Sequence, residues 1–272
     1  MKKTIFGLWA VLMAGMFGSC NEVKTPDDGV EHLAWDSIVK DTTVMLCDEA
    51  DSPSAEIHLN IKYADGKHAQ AVNDSLLRSG ILTPDYLSLE EKDKKMNVAE
   101  AVKLFVDSYM ADYKENFGEL YGRDPEHSAS YSLQYSCQTD VMDRGNIISY
   151  VAQVYNYAGG AHGMNFTIVK NIDAKTGKIM KLGDVFVPGY EEKTKELILE
   201  KMLKKFEAKD MEGLREKGIF NGIEPYVPTN FILGDDEVEF IYCDTEIAPH
   251  AVGEIRIAVP RRQLDDLLKK TE

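Results

Sequence analysis

Residues 131–157 read YSLQYSCQTDVMDRGNIISYVAQVYNY, and their hydrophobic period is two. Tyr131, Leu133, Tyr135, Cys137 and Val141 recur on one side of an extended chain, as a half-buried strand requires. Asp143-Arg144-Gly145-Asn146 supplies turn residues, and Ile147–Tyr157 returns as the hairpin partner. The same logic extends in both directions. Residues 55–63 alternate as a strand, and 30–46 start another, with 42–46 as its β-branched part. Strands at 166–169 and 179–182 flank the turn 173–178. A third hairpin joins 231–233 to 238–242 through Gly234-Asp235-Asp236, and 255–259 is a last strand stopped by Pro260.

Helical periods are few and isolated. A short helix begins at 71–77. Asn97 caps a longer one in which Val98, Ala101, Val102, Phe105, Val106, Tyr109, Met110, Tyr113 and Phe117 share a face, with Gly118 as its expected end. Residues 190–208 place Leu197, Ile198, Met202, Leu203 and Phe206 at helical spacing, and 264–268 close the chain. Hairpins with single helices point to an α+β fold of antiparallel, hairpin-rich sheets in two associated subdomains, 53–160 and 161–272.

The chain has 272 residues, 44% hydrophobic and 28% charged, which is globular rather than disordered or coiled-coil composition. Met1–Lys2–Lys3 and the apolar run 5–17 form the charged and hydrophobic parts of a signal peptide, 1–19, too short to span a bilayer. Phe17-Gly18-Ser19-Cys20 resembles the lipobox of bacterial lipoproteins, which makes Cys20 the expected lipidated residue. The membrane contact is then through acyl chains alone. Residues 20–52 read as a lipidated N-terminus and spacer, because 21–29 are rich in Pro, Gly and acids. Removing residues 1–19 takes away Lys2 and Lys3 and no acid, so the formal charge deepens from −15 to −17. Such a surface repels phosphate backbones and excludes nucleic acid as a partner, while favouring cationic ones.

Chemistry-bearing patterns are sparse. His32, His58, His68, His127, His162 and His250 show no metal-ligand spacing, and no nucleophile elbow occurs, so no catalytic residue, metal or cofactor is expected. Beyond Cys20, three cysteines remain: Cys47, Cys137 and Cys243. They allow at most one disulfide, with buried free thiols equally open.

Four motifs then appear in order. They are Tyr155-Asn156-Tyr157-Ala158-Gly159-Gly160-Ala161-His162-Gly163; the 173–177 turn followed by Leu182-Gly183-Asp184-Val185-Phe186; the 230–240 hairpin; and Ile247-Ala248-Pro249-His250-Ala251-Val252-Gly253 with Val259-Pro260. This series resembles the envelope domain of RsiV-type anti-sigma factors and PdaC-type deacetylases. His250 stands where that pattern has Tyr. The resemblance assigns candidate binding roles to Tyr157, Gly159, Gly160, His162, Pro249 and His250. Physically, the two glycines permit positive φ, His162 could bond a backbone group or touch a ligand, and Pro249 fixes a loop.

RsiV-like domains recognise lysozyme, so the resemblance implies a lipid-anchored, non-catalytic cell-envelope protein that binds lysozyme or another envelope protein. No sigma-binding segment or spanning helix is visible, so an anti-sigma factor is not expected. The alternative is a module that binds peptidoglycan or another glycan, or an accessory to cell-wall-modifying enzymes, with Tyr131, Tyr135, Tyr155 and Tyr157 as stacking faces. Exposure of those tyrosines separates the two.

Overall fold

The computed structural model describes residues 33–49, 51–66, 69–82, 96–126 and 131–270. The signal peptide, Cys20, the first part of the expected spacer (20–32), His32, His68 and His127 lie outside the described residues.

A six-stranded sheet in the order β1-β2-β3-β4-β5-β6 comprises β1 (Ala34–Met45), β2 (Ser54–Asp65), β3 (Leu133–Asp143), β4 (Ile147–Tyr157), β5 (Met164–Asp173) and β6 (Ile179–Met180). Every pair is antiparallel except β2–β3, which is parallel. Between them the chain crosses through α1 (Ala69–Leu77) and α2 (Val98–Arg123), the kind of long connection a parallel pair needs. A second, antiparallel sheet holds β7 (Phe231–Leu233), β8 (Glu237–Tyr242) and β9 (Ile255–Pro260). Short α3 (Leu182–Val185), α4 (Glu191–Lys205), α5 (Met211–Glu216) and α6 (Arg261–Leu264) accompany it. This is the expected α+β class, with one parallel pair added.

Four boundaries move. First, β1 pairs with β2 along twelve residues inside the expected spacer, because Trp35, Ile38 and Val44 find apolar partners in the core. Second, α2 runs through Gly118 to Arg123. The Glu119–Arg123 pair (2.9 Å) and the Tyr121 ring against Tyr131 support its last turn. Third, the sheets divide between Met180 and Phe231 rather than at 160/161, since β5 pairs with β4 over ten residues. Fourth, the closing helix is 261–264. Beyond it the chain lies alongside 185–187, with the Val187 amide donating to Leu267 O (2.8 Å) and Lys269 N to Val185 O (2.8 Å).

The strand period fills two faces differently. On the inner face Ile57, Leu59, Tyr135, Cys137, Ala152 and Val154 pack under α2, whose Val102, Phe105, Val106, Tyr109 and Tyr113 point inward. Asn97 starts that helix with a capping box: Glu100 N donates to Asn97 Oδ1 (2.9 Å) and Asn97 N to Glu100 Oε2 (3.2 Å). A second core forms from Phe186, Ile198, Met202, Phe220, Phe231, Phe240, Tyr242, Ile257 and Leu264.

The two sheets meet on the outer face of the first. Val151 and Val169 there pack on Ile232 and Ile241 of the second. Asn230, just before β7, completes the exposed edge of β5 as a peptide would. Its Oδ1 accepts from Val169 N (2.7 Å) and its Nδ2 donates to Thr167 O (2.5 Å). Asn171 Nδ2 donates to Phe231 O (2.8 Å) and its Oδ1 accepts from Ser149 Oγ (2.7 Å), so this buried polar junction is hydrogen-bonded. The junction covers only part of the outer face.

Candidate functional site

Apart from the exposed Val39 of β1, the uncovered part is polar across five strands. Register aligns Asp41, His58, Ser136, Tyr155 and Asn165 in one row, and Val39, Asn60, Gln138, Gln153 and Thr167 in the next. Their neighbours along each strand point into the core, so alternation sends these side chains outward. Where the rows approach the second sheet, Glu254 and Arg256 rise from the start of β9. Together with Ser136, Gln138, Gln153, Tyr155, Asn165 and Thr167 they line a groove of about 340 Å³.

The cation of the groove is fully paired. Arg256 Nη2 donates to Thr167 Oγ1 (3.0 Å), Nε to Glu254 Oε1 (2.7 Å) and Nη1 to Glu239 Oε2 (3.1 Å). Burial opposes the guanidinium charge, but the Glu254 and Glu239 carboxylates outweigh it and hold the group protonated. The groove therefore offers amides, hydroxyls and the aromatic rings of Tyr155 and Phe166 rather than an unpaired cation.

One end of the β4–β5 hairpin carries the glycine motif. Gly159 (φ +83°) and Gly160 (φ +94°) occupy the left-handed region, and Tyr157 Oη donates to Gly160 O (2.9 Å), closing the turn on itself. A Cβ at Gly163 would fall 2.3 Å from Tyr155 Oη, so only glycine lets that ring lie against the chain. His162, exposed at the tip, meets His250 with ring centroids 5.5 Å apart and planes 26° from parallel. His250 opens a short 3₁₀ turn, and its Nδ1 lies 2.6 Å from Oδ2 of Asp244, which is only 5% exposed.

The six residues singled out from sequence are thus distributed over two loops. His162 and His250 come together. Tyr157, Gly159 and Gly160 shape the first loop. Pro249 is exposed and braces Gly218, whose missing Cβ would sit 3.0 Å from Pro249 Cδ. The four tyrosines divide: Tyr135 is buried and donates to Ile81 O (3.0 Å), and Tyr131 packs on Phe117 and Tyr121. Tyr155 and Tyr157 face outward. Sequence reading passed over Gln138, Gln153, Asn165, Asp244 and Arg256. The run of amides and hydroxyls at outward positions of three successive strands was the available signal. Cys47, Cys137 and Cys243 are free thiols.

Residues 49–165 match the family model described as deacetylase PdaC. Residues 183–262 match DUF3298, described as a protein of unknown function. A solved DUF3298 family member from Bacteroides fragilis superposes with a TM-score of 0.78 at 24% identity, covering 88% of this chain and 94% of that one. The fold is that of DUF3298 proteins. A DUF3298 family protein from Pseudomonas aeruginosa also aligns, with a TM-score of 0.54 at 18% identity over 88% of this chain and 95% of its own. A search of curated proteins finds no match. In this DUF3298-type fold the groove lies where the two matched segments meet: Ser136, Gln138, Gln153, Tyr155 and Asn165 come from the first, Glu254 and Arg256 from the second. No helix among the described residues is long and apolar enough to cross a membrane.

Proposed function

We propose that this protein is a non-catalytic binding module of the bacterial cell envelope, tethered through a lipidated Cys20, whose groove takes a neutral, hydroxyl-rich glycan of the cell wall. The observation that carries the reading is the pair of polar rows beside the Tyr155 ring. Carboxamides such as Gln138, Gln153 and Asn165 both donate and accept, which suits sugar hydroxyls that do the same. Tyr155 adds a flat apolar face for the sugar ring, while its hydroxyl stays polar. The Arg256 charge is already taken up by Glu254 and Glu239, so the groove has little to attract an anion. Concave sites with a few convergent polar groups are where small ligands bind.

The acid surplus, −15 for the full chain, favours a second reading in which a cationic envelope protein such as lysozyme is the partner. Salt separates the two. Purified protein sedimented with insoluble cell-wall glycan is expected to stay bound at 0.02 M and at about 0.5 M salt, where the Debye length is about 4 Å. The Gln153→Ala and Tyr155→Ala variants are expected to leave a larger share of the protein in the supernatant at both salt concentrations. Glycan binding that disappears at high salt, or lysozyme binding that survives it, would overturn the glycan reading in favour of the protein partner.

A further inference from the structure

We infer that His162 and His250 form a two-imidazole site for a late first-row divalent metal ion such as Zn²⁺ or Cu²⁺. It clamps the β4–β5 turn to the loop before β9. Three features of the structure lead there, none of which the glycan reading uses.

The first is separation. An ion about 2.0–2.1 Å from one nitrogen of each ring, at a tetrahedral angle, sets the two ring centroids about 5 Å apart. The observed separation is 5.5 Å. His162 is exposed on a turn and can rotate about its side-chain bonds to converge with His250.

The second is orientation. Asp244 Oδ2 lies 2.6 Å from His250 Nδ1, which places the proton on Nδ1 and leaves the Nε2 lone pair for a metal. Carboxylate–histidine pairs of this kind accompany metal-ligating imidazoles and raise their basicity. The Asp244 carboxylate is buried, and its Oδ1 has no hydrogen-bond partner among the described residues. A cation held on the far side of the imidazole supplies the positive charge that this desolvated group lacks.

The third is composition. No three His, Cys, Asp or Glu side chains converge on one point among the described residues. Two imidazoles therefore leave the remaining coordination positions to water or to an incoming oxygen ligand, and imidazole donors suit Zn²⁺, Cu²⁺ and Ni²⁺ rather than Mg²⁺ or Ca²⁺.

The test is calorimetric titration of tag-free, full-length protein with Zn²⁺ and with Cu²⁺. One saturable site is expected, with Cu²⁺ tighter than Zn²⁺. His162→Ala and His250→Ala should each weaken Zn²⁺ at least tenfold, and Asp244→Asn by about ten- to a hundredfold. His58, flanked by Asp41 and Glu56, is the control, and His58→Ala should change nothing. Electron paramagnetic resonance of the Cu²⁺-loaded protein should show two imidazole nitrogens. The proposal is overturned by absence of saturable binding, by binding indifferent to both His162→Ala and His250→Ala, or by binding that His58→Ala removes.

Discussion

Tyr155 faces the groove from β4, and Gly163 meets its ring from the following turn. Two substitutions probe that contact in different ways. Tyr155→Ala removes the stacking face and should weaken glycan about three- to tenfold, as about 0.5–1.5 kcal/mol of ring contact implies. Gly163→Ala leaves the ring in place chemically but drives a methyl into it, so binding should fall while thermal stability drops by about 1–3 kcal/mol. Calorimetry and thermal unfolding separate the two effects. At the same scale, burial pushes the Cys137 thiol up to about 12. The unfolded thiol ionises near 8.5, so the folded state holds its proton more tightly. The stability from this group is complete below about pH 8.5 and is lost as pH rises toward 12. Buried Tyr150 and Tyr242, also raised by burial, act in the same direction. Denaturant midpoints measured from pH 7 to 11 should therefore fall steadily above about pH 9, and a thiol reagent at pH 8 should leave Cys137 unmodified until the protein unfolds.

At the level of elements, Gly118 separates what the pattern of residues announces from what packing decides. It sits inside α2, not at its end, and a Cβ there would meet nothing within 4 Å. Gly118→Ala should thus raise stability by about 0.5–1 kcal/mol, readable as a higher denaturant midpoint with an unchanged slope. The capping box at Asn97 and the turn at 143–146 were legible from residues because their chemistry is local. The β4 hairpin strand was legible because its period is strict. The parallel β2–β3 pairing was not, since it depends on where a long crossover returns the chain and no short-range pattern encodes that. Strand β1 was legible through its β-branched end at 42–46, but its long pairing was not, because Trp35 and Ile38 look isolated in an acidic stretch until β2 supplies their partners. The candidate site was half legible. His162 and His250 stood out by type and motif, but their meeting, and the outward rows of Gln138, Gln153 and Asn165, arise only from register.

On the scale of the whole molecule, the groove exists because the second sheet covers part of the first and stops. Val151, Val169, Ile232 and Ile241 form the apolar half of that junction, and Asn230 the polar half. Asn230→Ala leaves the Val169 amide and the Thr167 carbonyl without their partner. It should cost about 2–4 kcal/mol and flatten the groove, lowering glycan affinity at a distance from the ligand. The wild type should unfold in one cooperative transition, since the sheets share this junction. The most direct measurement is backbone amide shift mapping of the protein with solubilised, neutral cell-wall glycan at about 0.5 M salt. Saturable perturbations clustered on Ser136, Gln138, Gln153, Tyr155, Asn165 and Thr167 are the predicted result. No saturable change, or perturbations confined to residues outside the groove, would contradict the assignment of this face as the binding site.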